Sequence, residues 1–274
     1  MSARLPSRRN LALSGGSHYT DSETPRSITL VVKGTPVSVP QMGKAKVNNR
    51  LLRSLPAEDY QRLLPHLEPV SLRLSRVLCE PGESLAHAYF VTQGAVCLLA
   101  STPSGETIEV GVIGNEGMIG VPVLFGSPDV PCQLRVQVAG TALRIPMPTL
   151  KKEFGRGGAL HDRILCFTNA LIVQFAQSNL CNHYHRIEER LCRWLLILHD
   201  YSEADTVQMT QELIAHMLGV RRTGVSLVAG MLQTSGLISY RRGRITILDR
   251  ARLEACACEC YRVVNDAYAR LFAG

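Results

Sequence analysis

With 274 residues, 46% of them apolar, the chain is long enough for two modest domains with real cores. Its formal net charge of +7 is uneven: residues 1–50 carry +6, 51–150 carry −3, 151–204 carry +1 and 205–274 carry +3, which favours a polyanionic partner without naming one. Nine cysteines without a regular framework exclude a disulfide scaffold and point to a reducing cytoplasm, while the absence of a secretory signal or of an apolar stretch near the ~20 residues of a bilayer span predicts no membrane partner.

Residues 1–50 are rich in Ser, Thr, Pro, Gly and Arg and lack periodicity, the composition of a disordered basic extension; Met42 offers an alternative start of translation. Leu51 to Leu64 is amphipathic, with Pro56 expected to open its second helical turn. Strands then dominate to about residue 147. Val70 to Ser75 alternates, Pro81-Gly82-Glu83 turns, Ala88 to Ala100 reads as two strands broken at Gly94, and Thr107 to Ile113 and Gln133 to Ile145 add more. Short strands at such intervals point to a small antiparallel roll or barrel.

Helical spacing returns after Gly155-Arg-Gly-Gly158. Leu160, Ile164, Phe167, Leu171 and Phe175 recur every three or four residues, a stripe whose expected use is a two-stranded dimer contact. Ile187, Leu191, Leu195 and Leu198, with Trp194, mark the next helix.

From 206 to 249 the pattern is helix, tight turn, helix and hairpin. Thr210 suits an N-cap, Leu213, Ile214, Met217 and Leu218 form one apolar face, and Gly219 stands where helices stop. The second run, Arg221 to Thr234, buries Val225, Val228, Ala229 and Leu232 and leaves Arg222, Thr223, Ser226 and Leu227 on the other side. Two short strands follow around Arg241-Arg242-Gly243. This is the plan of a winged helix-turn-helix. Arg222, with Arg221, Thr223 and Ser226, is expected at base edges, and Gln211, Arg241, Arg242 and Arg244 at phosphate.

Enzymatic signatures are missing: there is no Walker-type phosphate loop, no Gly-x-Ser-x-Gly elbow and no His-Glu-x-x-His pair, so no enzyme is expected. Cys181-Asn-His183-Tyr-His185 with Cys192, and Cys256, Cys258 and Cys260, carry metal-capable side chains. Helical residues two apart point about 200° apart, so of the last three only Cys256 and Cys260 would share a face. Two ligands are too few, and no metal site is expected.

Pro81-Gly82-Glu83, Tyr89 to Gly94, Gly114-Asn-Glu-Gly-Met-Ile-Gly120 and Arg135 to Ile145, followed by a long helix and the winged motif, resemble the CRP/FNR family of bacterial transcription regulators, from about Leu51 to Asp249. The resemblance implies an α+β fold: an antiparallel β-roll sensor domain, a long dimerisation helix and a C-terminal winged helix-turn-helix. The boundaries that follow are 51–158 for the sensor, 159–183 for the helix, 184–254 for the DNA-binding domain and 255–274 for a helical tail. It also implies a cytoplasmic homodimer on an inverted-repeat duplex, with RNA polymerase as a further partner.

In nucleotide-binding members a glutamate holds the ribose and an Arg-Ser or Arg-Thr pair holds the cyclic phosphate. Glu116 and Gly117 match the first segment, but Pro131-Cys132-Gln133 stands where the pair belongs, which argues against cyclic AMP as cofactor. Arg135, on the same side of the strand as Gln133, is the candidate for a shifted role. The iron–sulfur branch carries an N-terminal cysteine cluster, and here no cysteine precedes Cys79. Two other readings stay open: a signal-sensing scaffold whose degenerate reader binds a protein, and a metal- or haem-dependent redox sensor.

Overall fold

The computed structural model describes residues 47–202 and 204–273. Most of the expected extension lies outside these residues, but its last part is built in, since Val47 and Asn49 are already buried. Asn49 caps α1 (Arg50–Arg53) by accepting from the Leu52 amide at 2.9 Å, and its own amide donates to the carbonyls of Val91 and Gly117 at 2.9 and 2.8 Å. Pro56 does not continue this helix. It stands at the N-cap of a separate α2 (Ala57–Leu63), as expected of a residue with no N–H that disfavours helix before it.

A roll of antiparallel strands follows. β1 (Glu68–Leu72) and β2 (Val77–Cys79) pair with the distant β6, β3 (His87–Ser101) lies between β6 and β4 (Thr107–Ile113), and β5 (Met118–Ile119) pairs with the start of β3. After the single turn α3 (Val121–Leu124), β6 (Gln133–Pro146) closes the order β1-β6-β3-β4. Gly94 does not end a strand: β3 runs through it with a slip in its pairing to β6. Its φ of +78° suits glycine, and a Cβ there would lie 2.4 Å from the Val138 carbonyl oxygen.

α4 (Met147–Phe154) leads to α5 (Ala159–Tyr184), which packs along the roll. The periodic stripe read as a dimer contact is instead spent inside the protomer: Leu160, Ile164, Phe167 and Leu171 are buried in the core shared with the roll. What α5 leaves open is another face, with Leu165, Ile172 and Leu180 exposed. By length and composition this helix could cross a membrane, against the expectation from sequence, but 39% of its apolar window is buried, and Leu160, Ile164, Phe167 and Leu171 lie in the core.

α6 (Ile187–Tyr201) begins the C-terminal unit, where β7 (Thr206–Gln208) adds a strand not foreseen from sequence. α7 (Gln211–Leu218) is capped by Thr210, which accepts from the Leu213 amide at 3.2 Å, and stopped by Gly219 at φ +60°. α8 (Arg222–Thr234) follows, then β8 (Ile238–Arg241) and β9 (Arg244–Ile247), which complete the sheet β7-β9-β8. α9 (Arg250–Cys256) and α10 (Cys260–Leu271) end the chain. The last segment, expected as a tail, returns to the roll: α10 lies on α5, and Val264, Ala267, Tyr268 and Leu271 join the sensor core. Their spacing of three and four residues is the amphipathic signal of a packed helix.

Candidate nucleic-acid interface

α8 divides cleanly. Val225, Val228, Ala229 and Leu232 are buried, while Arg221, Arg222, Thr223 and Leu227 are exposed, Leu227 to 69%. The two helices and the hairpin enclose a cleft lined by Thr210, Gln211, Glu212, Arg222, Tyr240, Arg242 and Gly243. The hairpin is pinned to the helices: the Met209 amide donates to the Gly243 carbonyl at 2.7 Å, the Tyr240 hydroxyl to the Met209 carbonyl at 3.0 Å, and the Tyr240 amide to Gln233 at 2.7 Å. Arg242 at φ +47° and Gly243 at +73° make the tight turn that presents the arginines. Arg241, Arg242 and Arg244 are all exposed.

Two predicted site residues sit differently from the rest. The Ser226 hydroxyl donates to the Gln211 side chain and also to the Arg222 carbonyl at 3.1 Å, so Ser226 and Gln211 occupy each other. Base-edge and phosphate roles for this pair would require that bond to open. A Cβ at Gly224 would lie 3.1 Å from the Ile187 side chain, tighter than an ordinary contact, which favours glycine at this point of the helix.

A second site lies between the roll and α5. A cavity of about 610 Å³ is walled by Val110, Met118, Val121, Val130 and Leu134 from the roll and by Leu171, Ile172 and Phe175 from α5, with Thr168, Ser178, Asn179 and Asn182 as polar groups. None of its lining side chains is charged. Glu116, Gly117 and Arg135, the ligand residues expected from sequence, do not line this cavity. Glu116 is buried elsewhere, accepting from the Gly114 amide at 2.8 Å and facing Tyr201, its carboxyl pushed up by burial. Gly117 makes room for Phe167, whose ring would lie 2.1 Å from a Cβ there. Arg135 alternates with Leu134, and it is Leu134 that lines the cavity. The cavity lining is mostly apolar, and its signal in sequence is ordinary strand alternation.

The two sites meet on β4. Ile108 lines the cavity and also abuts Gly219 in the turn between α7 and α8, where a Cβ would meet it at 2.8 Å. Next to it, Glu109 accepts from the Trp194 indole N–H of α6 at 3.2 Å, and from Gln137 at 3.4 Å. Burial beneath α6 raises the Glu109 carboxyl to about 7, with the Trp194 bond and Arg193 opposing, although part of the side chain stays accessible. Around this link, Ala95, Cys97, Leu99 and Val112 share one core with Leu191, Trp194, Ile214 and Leu218.

A carboxyl raised in the folded state binds its proton more tightly there than in the unfolded chain. Its contribution is therefore greatest at low pH and declines as pH rises from the ordinary value to about 7. Glu109→Gln should shrink the loss of thermal stability between about pH 5.5 and about pH 8. An unchanged difference between the two midpoints would contradict the assignment.

The comparisons agree with this division. Residues 69–156 match the cyclic nucleotide-binding domain and residues 189–256 the Crp-like helix-turn-helix domain, together more than half of the chain. No curated protein matches. Among solved structures, the fold is similar to a protein from Eubacterium rectale assigned to the CRP/FNR family (17% identity, 75% of this chain and 96% of that one, TM-score 0.62). It is similar also to FixK2 from Bradyrhizobium japonicum (17%, 70% and 98%, 0.60). A CRP-family transcriptional regulator from Thermus thermophilus shares 22% identity over 69% of this chain and 96% of its own, with a TM-score of 0.57.

Proposed function

The chain belongs to the CRP/FNR family of DNA-binding transcription regulators, and from that premise we propose a homodimer that reads an inverted-repeat site under the control of an apolar effector. The observation that carries the reading is the exposed row Arg221, Arg222, Thr223 and Leu227 beside an arginine-tipped wing. Arg222 suits guanine by bidentate donation, Leu227 suits a thymine methyl, and the wing arginines suit phosphate. RNA polymerase is the partner through which such a bound dimer would act on transcription.

Dimerisation is assigned to the open face of α5. Leu165 and Ile172 stand seven residues apart, 43% and 58% exposed, and a second copy of the helix would cover them while closing the cavity beside Ile172. An uncharged lining suits an apolar molecule and disfavours a cyclic nucleotide, because a phosphate there would lose its water without gaining a cation. Occupation of the cavity would act through Ile108 and Glu109 on the turn and helix of the reader. A ligand shifts the reader only by its differential affinity for the two poses, typically ~1–3 kcal/mol of coupling.

Half-site spacing tests the two-fold reading. Inserting about five base pairs between half-sites turns one of them to the opposite side of the duplex, and should abolish tight binding; inserting about ten should restore part of it. Equal affinity for all three spacings would overturn the paired-reader arrangement.

A further inference from the structure

Where α5 ends and α10 starts, four side chains with metal-ligating atoms converge. Cys181 is in the last turn of α5, His185 is its C-cap, Cys258 lies in the break between α9 and α10, and Cys260 is the first residue of α10. Their ligand atoms all lie within 4.8 Å of one another. The Sγ atoms of Cys181 and Cys258 are 3.5 Å apart, and Cys260 Sγ is 3.4 Å from His185 Nδ1. All three cysteines are buried.

The helical spacing that seemed to exclude Cys258 does not apply. α9 ends at Cys256 and Ala257 is extended at φ −77°, ψ 151°, so Cys258 and Cys260 flank a turn instead of sharing a helix. His185, just past the end of α5, stays beside Cys181 because its backbone amide donates to the Cys181 carbonyl at 3.2 Å.

We infer that Cys181, His185, Cys258 and Cys260 form a tetrahedral site for a single zinc ion, which fastens the end of α5 to the start of α10. With Zn–S bonds of ~2.3 Å and a Zn–N bond of ~2.0–2.1 Å, a tetrahedron places its ligand atoms roughly 3.5–3.8 Å apart. The separations here need only small side-chain adjustment to meet that. An iron–sulfur cluster sets several atoms between its ligands and would hold the sulfurs wider.

The surroundings complete the site. His185 turns Nδ1 to the cysteines while Nε2 lies 3.3 Å from the Glu259 carboxylate, the outer partner that fixes a metal-bound imidazole. The Gln177 amide donates to Cys260 Sγ at 3.1 Å. Three thiolates on a divalent ion leave one negative charge, and two buried cations stand near it. Arg190 and Arg193 are both 6% exposed, and the Nε of each is buried without a hydrogen-bond partner.

None of these four residues lies inside either matched domain. The site borders the junction of α5 and α6, where the reader is joined to the long helix, and Arg190 also donates to Asn182 and to the Leu218 carbonyl at the end of α7. Metal binding does not depend on DNA reading, so the two fail separately.

The test uses the full chain, untagged and purified under reducing conditions without chelator. Elemental analysis should find about one zinc per chain, and exchange with Co²⁺ should give the intense charge-transfer and visible bands of a tetrahedral thiolate site. Cys258→Ser should lose the metal, His185→Cys should keep it, and Cys256→Ser, just outside the cluster, should be indistinguishable from the wild type. If Cys258→Ser fails to fold, the wild-type zinc content and cobalt spectrum still decide. A reduced protein that takes up neither Zn²⁺ nor Co²⁺ would overturn the inference, as would bound iron with a cluster spectrum or a Cys181–Cys258 disulfide in place of metal.

Discussion

Ile172→Glu is expected to convert the protein to monomers and to weaken binding to an intact inverted repeat by about 10²–10⁴-fold, the gain that pairing two binding modules supplies. Ile172 is 58% exposed in the protomer, so the change removes no core contact, and circular dichroism and the unfolding midpoint should stay near those of the wild type. In the paired state the same side chain would bring two carboxylates together in an apolar seam, which they avoid by separating. Sedimentation and duplex titration report the two effects independently. A variant that remains dimeric with unchanged affinity would show that the exposed α5 face is not the interface.

Arg222→Ala addresses the other end of the molecule. Arg222 is exposed at the first turn of α8 and lines the cleft shared with the wing. Losing a bidentate contact to guanine should cost about 1–3 kcal/mol, or roughly 5–150-fold, and should relax preference at one position of each half-site. Arg242→Ala, at the wing tip, should weaken specific and random duplexes alike and lower the salt slope by about one. If both changes affected all sequences equally, Arg222 would be a phosphate contact and base selection would lie elsewhere on α8.

Sequence made the reader legible because its devices are local. The Thr210 cap, the Gly219 stop, the Val225 to Leu232 stripe and the Arg242-Gly243 turn each depend on a few neighbouring residues, and each is present as expected. Gly94 reads as a strand break from sequence because glycine serves a bulge as well as a turn; only the pairing with β6 tells them apart. The α5 stripe was recognised as apolar, yet periodicity does not say which partner covers it, and the roll and α10 claimed it first.

The site between sheet and helix was least legible. Glu116 carried a familiar motif but turned toward Tyr201, and the cavity is lined by side chains that resemble any strand core. The cysteine and histidine cluster failed to declare itself for a related reason. Its halves are over seventy residues apart, and the helix break at Ala257 that brings them together has no strong marker.

The proposed regulator depends on base discrimination by the exposed side of α8. Selection from random duplexes with the purified full-length protein tests it most directly. The expected product is one inverted repeat with half-sites about ten base pairs apart, bound at least ~10³-fold more tightly than scrambled competitor at the same salt. Recovery of no common sequence, with selected and scrambled duplexes bound alike, would contradict it.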